Sequence, residues 1–421
     1  MKFIKAFLSV LLFASTVNSF GQKYVGGDIS LLTKYETNGA TYYDHDGTAI
    51  SSPLTFFKDQ GWNAMRVRLF VDPSKASSTA KGQGVCQDLE YVKALGKRIK
   101  DAGFNFMLDF HYSDTWADPS NQWTPAAWAS LSDEDMYTKM YDYTKDVLTQ
   151  LVAAGATPDF IQTGNEISYG MLWGVSTVSA SSLKKCYTGS TSNWAYFTNL
   201  LKKAGKACRE VCPNAKIIIH TERVEKPTVL TGFYDNMATY GIDYDIIGLS
   251  YYPYYHGTIA SLNNVLTTLE NKYPTKNIMI TETGYYHKWQ PTTVDYDLSS
   301  TYPISDEGQK AFTDALITML NNHSKVNGLF WWWPEANEFG LDWNTKRVTD
   351  DWYNGGLFDN ETGKAMSALS ELKNFLSTTG ISNIKIQDTK DESWYTLQGT
   401  KITKPTQSGI YIHDGKKIVN N

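Results

Sequence analysis

The feature that most constrains the fold is an eightfold alternation of strand-like and helix-like segments. Each strand-like segment is a short apolar or alternating run, and the segment after it repeats apolar residues at the helical i, i+3, i+4 spacing. The strand-like segments are residues 24–30, 63–70, 105–110, 159–166, 216–220, 244–252, 277–283 and 328–333. The helical segments are residues 53–60, 87–102, 133–154, 194–211, 228–237, 259–271, 306–321 and 364–375. Because no hairpin lies between these segments, the pattern predicts an α/β chain closed into one (β/α)8 TIM barrel.

An open, doubly wound sheet is the alternative for the same alternation. Sheets of that kind that bind dinucleotides carry a glycine-rich phosphate loop after the first strand, and none follows residues 24–30. We therefore favour the barrel. Functional groups of a barrel lie at the C-terminal ends of its strands, so strand-end residues are expected to surround one cleft.

Two strand-like segments end at a glutamate. Residues 160–163 lead to Glu166, and residues 278–281 lead directly to Glu282. A single strand-end glutamate often just begins a surface loop, but two carboxyl groups facing each other suit glycoside hydrolysis, where one protonates the leaving oxygen. A separation of about 5–5.5 Å predicts retention of configuration, and about 6.5–9.5 Å predicts inversion.

The surroundings of these acids suggest their roles. A nucleophilic carboxylate must stay ionised, which requires a cation or hydrogen-bond donors beside it. Arg66 and Arg68 share one face of the second strand, and either could hold the carboxylate. Arg68 lies nearer to the mouth and is the candidate substrate-binding arginine. Tyr252, at the end of the sixth strand, is the favoured hydroxyl donor. Asn165, beside Glu166, is expected to hydrogen-bond a sugar hydroxyl.

Aromatic residues are abundant, at 14% of the chain with 13 Trp and 27 Tyr. Their flat apolar faces and polar edges suit amphipathic ligands such as sugar rings. We predict that six tryptophans lie on the mouth face of the barrel, where each is either a stacking platform for a sugar ring or a core residue. They are Trp116, Trp123, Trp173, Trp332, Trp333 and Trp343.

The segment after the third strand allows two interpretations. His111, Asp114 and Asp118 could hold a divalent ion. However, Trp116 lies among them, and only His220 supplies a second histidine at a nearby strand end. We favour sugar binding by His111 and Asp114, and we predict no metal ligands and no required cofactor.

The two ends of the chain differ from the barrel. Two lysines precede a short apolar run and a small-x-small site before Gln22, so residues 1–21 are predicted to be a signal peptide without a transmembrane anchor. The catalytic barrel is then residues 22–379. Residues 380–421 form a short β-prone tail with two hairpin-like runs. We expect secretion to the extracellular space, the cell surface or the periplasm.

The net charge limits the classes of binding partner, and the cysteine content limits the possible disulfide pairings. The net charge is -5 and no basic stripe is present, which argues against nucleic acid. The four cysteines permit three full pairings, among which the sequence does not choose. We expect a monomer that acts on a polysaccharide.

Three motifs resemble those of glycoside hydrolase family 53, the endo-β-1,4-galactanases. They are residues 109–119, residues 163–167 with 170–173, and residues 247–253. The resemblance covers residues 26–376. It implies a (β/α)8 fold and retaining hydrolysis of β-1,4-galactan, as in type I arabinogalactan or pectic side chains. It also implies that Glu166 is the acid/base and Glu282 the nucleophile.

The sequence departs from that family's usual pattern at three places. Gly27 and Gly284 stand where alanine is usual, and residues 220–222 differ from the common ending of the fifth strand. The tail, in turn, resembles the C-terminal sorting tails of type IX secretion substrates; a structural appendage is the alternative. The family resemblance also implies that a structural calcium could lie near the last two loops. Residues available there are Asp295, Asp297 and Asp342.

Two other functions remain open at this stage. A different β-glycan hydrolase on the same barrel, such as a mannanase, would share the paired glutamates. A non-catalytic sugar-binding barrel is the alternative outside enzymes, and the two intact strand-end glutamates argue against it.

Overall fold

The computed structural model describes residues 22–177, 185–291, 293–350, 353–377, 394–396, 401–405, 409–413 and 416–420. The predicted signal peptide lies outside these residues. The chain divides into two compact units, Met1–Thr378 and Thr379–Asn421. Within the described residues, no helix combines the length and the apolar character that crossing a bilayer requires.

Eight parallel strands close into a barrel in the first unit. Each strand pairs with the next one along the chain, and the last pairs with the first. The strands are β1 (Tyr24–Asp28), β2 (Ala64–Leu69), β3 (Asn105–Phe110), β4 (Phe160–Thr163), β5 (Lys216–Thr221), β6 (Ile246–Tyr251), β7 (Asn277–Thr283) and β8 (Val326–Trp332). The predicted (β/α)8 barrel is confirmed.

A helix follows each strand. These helices are α1 (Pro53–Asp59), α2 (Leu89–Asp101), α3 (Asp133–Ala153), α4 (Trp194–Val211), α5 (Pro227–Thr239), α6 (Ile259–Lys272), α7 (Asp306–Leu320) and α8 (Ser367–Glu371). Side-chain caps fix where several begin: Asp88 accepts from the Tyr91 backbone N–H at the start of α2, and Ser132 caps α3 in the same way. Shorter helices and 3-10 turns in the connections are Leu32–Asn38, Pro73–Lys75, Ser78–Gly82, Ala126–Trp128, Ile167–Tyr169, Thr191–Asn193, Pro253–His256, Tyr353–Gly355 and Leu372–Leu376.

The interior of the barrel changes from apolar to polar along its axis. An apolar cluster with one residue from each of strands β2 to β8 fills one end, and Tyr24 of β1 packs against it. Its members are Ala64, Met107, Phe160, Ile218, Ile246, Met279 and Phe330. Further along, six of the strands carry buried polar or charged residues: Asp28, Arg66, Asp109, Gln162, His220 and Ser250. A packed barrel interior therefore supports a polar layer beneath the mouth.

Two details differ from the sequence expectation. The last helix begins at Ser367 rather than at Lys364, because Lys364 and Ala365 instead form bridges with Tyr43 and Phe358. A small hairpin, Tyr42–Tyr43 with Ala49–Ile50, also lies between β1 and α1.

The second unit contains a four-stranded antiparallel sheet. Its strands are β9 (Trp394–Thr396), β10 (Lys401–Ile402), β11 (Gly409–His413) and β12 (Lys416–Asn420), in the order β10-β9-β11-β12. The rings of Trp394 and His413 stack with centroids 4.3 Å apart. The two hairpin-like runs seen in the sequence thus pair into one sheet.

Candidate active site

A cavity of about 980 Å³ opens at the C-terminal ends of the barrel strands. The sequence-predicted site residues that line it are Asn165, Glu166, Trp116, Tyr252, Glu282 and Trp333. Trp332, one of the predicted tryptophans, lines it as well. The volume is in the range of ligand pockets. Carboxyl groups and aromatic rings therefore share one open cleft.

Glu282 reaches this cleft because of a β-bulge in β7. Ile280 pairs with Leu249 of β6, but Glu282 pairs with the very next residue, Ser250, so β7 carries one extra residue. With strict alternation, Glu282 would point away from the side that carries Met279. The bulge reverses that alternation and re-aims the side chain inward, as bulges near functional sites often do.

Two donors hold the carboxylate of Glu282. The Arg66 guanidinium lies 2.9 Å from Oε1, and the Tyr252 hydroxyl donates to Oε2 over 3.0 Å. Burial raises the pKa of Glu282 to about 7, with further increases from Asp109 and Asp28, while Arg66 and Tyr252 oppose that rise. The two donors therefore favour the ionised form of an otherwise desolvated acid.

Glu166 occupies a strained turn after β4. Its backbone is left-handed, with φ 47° and ψ 52°, a conformation that non-glycine residues adopt rarely. Burial raises its pKa well above the ordinary value, and the charges of Glu282 and Glu222 add to the rise. Among the described residues no cation pairs with Glu166, so this acid retains its proton more readily than Glu282.

Arg66 is the centre of a buried ionic network. Its guanidinium lies 2.8 Å from Asp28, 2.8 Å from Asp109 and 2.9 Å from Glu282. It also donates to Oδ1 of Asn165 over 2.9 Å. One cation thus orients an asparagine and a carboxylate that both line the cleft.

The arginine beside Glu282 is Arg66. Arg68, predicted to bind substrate, lies outside the cavity wall, which corrects that prediction. Arg68 is fully buried, donates to Asp28 over 3.1 Å and lies 4.6 Å from the ring centroid of Trp116 and 5.2 Å from that of Trp333. Its guanidinium therefore supports the aromatic wall from behind and does not line the cavity.

Asn165 is fixed on both sides of its amide. Its Nδ2 donates to the Ala117 carbonyl over 2.7 Å, and Oδ1 lies 3.0 Å from His220 Nδ1. Gln122 donates to the backbone carbonyls of Asn165 and Glu166. These contacts hold the strained segment in place, which is how unfavourable backbone conformations persist at functional sites.

Besides Arg68, three further predicted site residues are not part of the cavity wall. His111 is 2% exposed, with Nε2 3.1 Å from Asp109 and Nδ1 accepting from the Ala117 N–H. Asp114 accepts backbone N–H groups of Asp72 and Ala126, which fixes the loop after β3. Trp173 is 1% exposed and donates to a backbone carbonyl. All three shape the cleft from beneath its surface.

Among the described residues, the divalent-ion alternative has no set of metal ligands. Across the described ranges, no group of three or more His, Cys, Asp or Glu side chains is arranged to hold an ion. Asp297 and Asp342, two of the calcium candidates, accept hydrogen bonds within their own turns, from Ser299 and Thr345. All four cysteines are free thiols.

The sequence interpretation did not assign a role to Glu222, Arg223 and Glu225, which line the same cavity. Glu222 directly follows β5 and is 3% exposed. Like Glu166 and Glu282, it lies near the C-terminal end of a barrel strand. The strand-end criterion could have found it, although the family resemblance marks residues 220–222 only as a departure from the usual pattern.

A closed (β/α)8 barrel with two carboxylic acids and aromatic rings in one strand-end cleft is the arrangement expected of a glycoside hydrolase. Residues 24–372 match the sequence model of glycosyl hydrolase family 53, and the chain belongs to this family.

Relatives with a named activity are similar to this chain over most of its length. An endo-beta-1,4-galactanase of Bacillus subtilis is 29% identical, over 83% of this chain and 84% of that protein. An arabinogalactan endo-beta-1,4-galactanase of Thermothelomyces thermophilus is 32% identical, over 74% and 89%. The solved catalytic domain of a family 53 enzyme from Ignisphaera aggregans superposes with a TM-score of 0.71 at 31% identity, covering 86% of this chain and 98% of that one.

Proposed function

We propose that this chain is a secreted, retaining endo-β-1,4-galactanase. The named relatives are galactanases, and their similarity to this chain extends over nearly the whole barrel. The cleft is open and about 980 Å³ in volume, which suits attack within a polysaccharide chain. The substrate would be β-1,4-galactan of type I arabinogalactan or pectic side chains, and no cofactor is required for this chemistry.

The observation that carries the mechanism is the unequal environment of the two carboxyl groups. Glu282 is held by Arg66 and Tyr252, whereas Glu166 is desolvated and faces acids. Two carboxyls pushed apart in proton affinity by their surroundings can act as an acid and a base. Glu282 is therefore the nucleophile and Glu166 the acid/base.

The reaction then proceeds by two displacements. In the first, a carboxylate oxygen of Glu282 bonds to the anomeric carbon while Glu166 gives its proton to the departing glycosidic oxygen. In the second, Glu166 removes a proton from water, whose oxygen attacks the same carbon and releases Glu282. Asn165 is positioned for a sugar hydroxyl, and Trp116 and Trp332, both only partly buried, form walls against which a ring can pack. Trp333 is 1% exposed and stacks on Trp332.

A substrate panel with product stereochemistry tests this function. We expect oligosaccharides from β-1,4-galactan and none from mannan or xylan, and NMR of early products should show the β-anomer first. Mannan as the preferred substrate would indicate the mannanase alternative. Binding of galactan without hydrolysis would indicate a sugar-binding barrel, and early α-anomer would rule out retention.

Export and assembly form part of the proposal. The lysines and apolar run in residues 1–21 support secretion, and the tail at 380–421 is a candidate sorting segment. Expression of the full chain in a secreting bacterium, with and without residues 1–21, tests export by fractionation. Light scattering on the exported protein should give the mass of a monomer.

A further inference from the structure

We propose that Glu222 is a positioning residue for Glu166: its carboxylate holds the turn that carries Glu166 and places a third negative charge beside it in the cleft. The inference rests on the proposed role of Glu166 as the acid/base.

The contact that ties the two segments together is a hydrogen bond from Ser168 to Glu222. Ser168 Oγ donates to Oε1 of Glu222, and both side chains are buried. Ser168 belongs to the 3-10 turn Ile167–Tyr169, which starts directly after Glu166. Because Glu166 sits in a left-handed conformation, its orientation depends on what fixes the residues that follow. Glu222 is the anchor on the neighbouring strand end.

The carboxylate of Glu222 can also act on its neighbours through its negative charge. Oε1 lies 3.0 Å from Arg223 Nε, but Oε2 is buried and has no hydrogen-bond partner within the described ranges. Glu225 stands near the same arginine, which therefore divides its charge between two acids. Arg223 in turn lies 4.1 Å from the ring centroid of Tyr169, so its position is constrained as well.

The groups that face Glu166 come from four directions. Glu282 lies on β7, Ser250 lies on β6, Asp118 lies in the loop after β3, and Glu222 follows β5. Three of these are acids, and Glu282 is already paired with Arg66. Burial raises the pKa of Glu222 to about 7, with Arg223 and Ser168 opposing the rise. Glu222 is consequently ionised on the alkaline side of neutrality, where Glu166 must keep its proton.

Two variants separate the charge from the tether. Glu222→Gln keeps an oxygen that can accept from Ser168 but removes the charge. We expect the alkaline limb of the kcat/KM profile on β-1,4-galactan to move to lower pH by roughly half a unit to one unit. Ser168→Ala removes the tether and keeps the charge. We expect kcat to fall several-fold while the alkaline limb keeps its position.

A substrate that needs no proton donor provides a readout that a purely structural role would not give. For a dinitrophenyl β-1,4-galactobioside, Glu222→Gln should retain the wild-type kcat/KM, since the leaving group departs without protonation. A comparable loss on both substrates would overturn the proposal, because it would indicate general damage to the cleft. Superimposable wild-type and Glu222→Gln profiles would overturn it too.

Glu166→Gln separates this inference from the function on which it rests. If this variant is as active on galactan as the wild type, the proposed function itself fails. If it is inactive and Glu222→Gln leaves the profile unchanged, only the role of Glu222 fails. Should Glu222→Gln not fold, judged by thermal unfolding, Glu222→Asp replaces it. That variant keeps the charge and must retain the alkaline limb while losing kcat; a shifted limb would contradict the proposal.

Discussion

Nη2 of Arg66 lies 2.9 Å from Oε1 of Glu282, with the two side chains only 0% and 6% exposed. The same guanidinium lies 2.8 Å from Asp28 and from Asp109. One positive charge therefore serves three acids in a desolvated layer. This explains why Glu282 can be ionised and yet has a raised pKa: burial, Asp109 and Asp28 all act against the arginine.

The two carboxyl groups should respond differently to replacement by alanine. Glu166→Ala should lose about 10²–10⁴-fold in activity on galactan, as expected when general acid–base catalysis is removed. Azide should rescue it with an activated aryl galactoside and give the β-galactosyl azide. Glu282→Ala should lose activity on all substrates, and azide should give the α-galactosyl azide. Product NMR identifies each anomer; the opposite pairing would exchange the two roles.

Loss of the Tyr252 hydroxyl should be visible in the pH profile. This hydroxyl donates to Glu282 over 3.0 Å and lowers the pKa of that acid. In Tyr252→Phe the pKa of Glu282 should rise, so the acid limb of the kcat/KM profile should move to higher pH. Because the lost hydrogen bond is to a charged group, kcat/KM at neutral pH should fall by roughly 10–100-fold. Tyr254→Phe, a buried tyrosine outside the cavity wall, is the control and should keep the wild-type profile.

Glu335 should make stability depend on pH. It is fully buried, its Oε1 accepts from the Leu31 N–H over 2.9 Å, and its Oε2 has no hydrogen-bond partner among the residues that the structure describes. Burial raises its pKa from 4.5 to about 8, with Asp28 adding to the rise. A raised pKa means that the folded chain keeps a proton which the unfolded chain releases above pH 4.5. This contribution to stability is complete below pH 4.5 and is lost as pH rises through 8.

Replacing that acid by an amide should remove this dependence. We expect Glu335→Gln to be as stable as the wild type below about pH 4.5 and more stable by roughly 2–5 kcal/mol above pH 8. Urea unfolding across the range measures the difference. Glu90→Gln, at a side chain 77% exposed, serves as the control and should give a difference that does not grow with pH. A flat difference for Glu335→Gln would contradict the prediction.

The two glycines that depart from the family pattern should tolerate alanine unequally. A methyl group on Gly27 would lie 2.5 Å from Cγ of Pro334 and 2.8 Å from the Trp331 carbonyl oxygen, closer than packing allows. We expect Gly27→Ala to lower the free energy of unfolding by about 1–3 kcal/mol. At Gly284 the nearest atom would be 3.7 Å away, so Gly284→Ala is the matched control. Thermal unfolding of both should separate them, and equal stabilities would contradict this account.

The alternation of segments and the strand-end residues were enough to predict much of this molecule. The eight strands and their helices follow from apolar periodicity, because a strand covered on both faces needs continuous apolar residues and a helix needs a stripe. The strand-end criterion also selected Glu166 and Glu282, which line one cavity in the structure. Along a parallel barrel, chain order alone determines which ends meet.

How deep a side chain lies in the barrel, and in which direction it points, was decided only by tertiary structure. Alternation places Arg66 and Arg68 on one face but does not say which guanidinium reaches Glu282; the layer of acids around Arg66 decides it. Alternation also points Glu282 outward, and one extra residue in β7 reverses this. Trp173 and His111 have the residue types of a sugar site, yet packing encloses them. Residue type and period fix which element a side chain belongs to, whereas bulges, rotamers and neighbouring charges fix where its functional atoms lie.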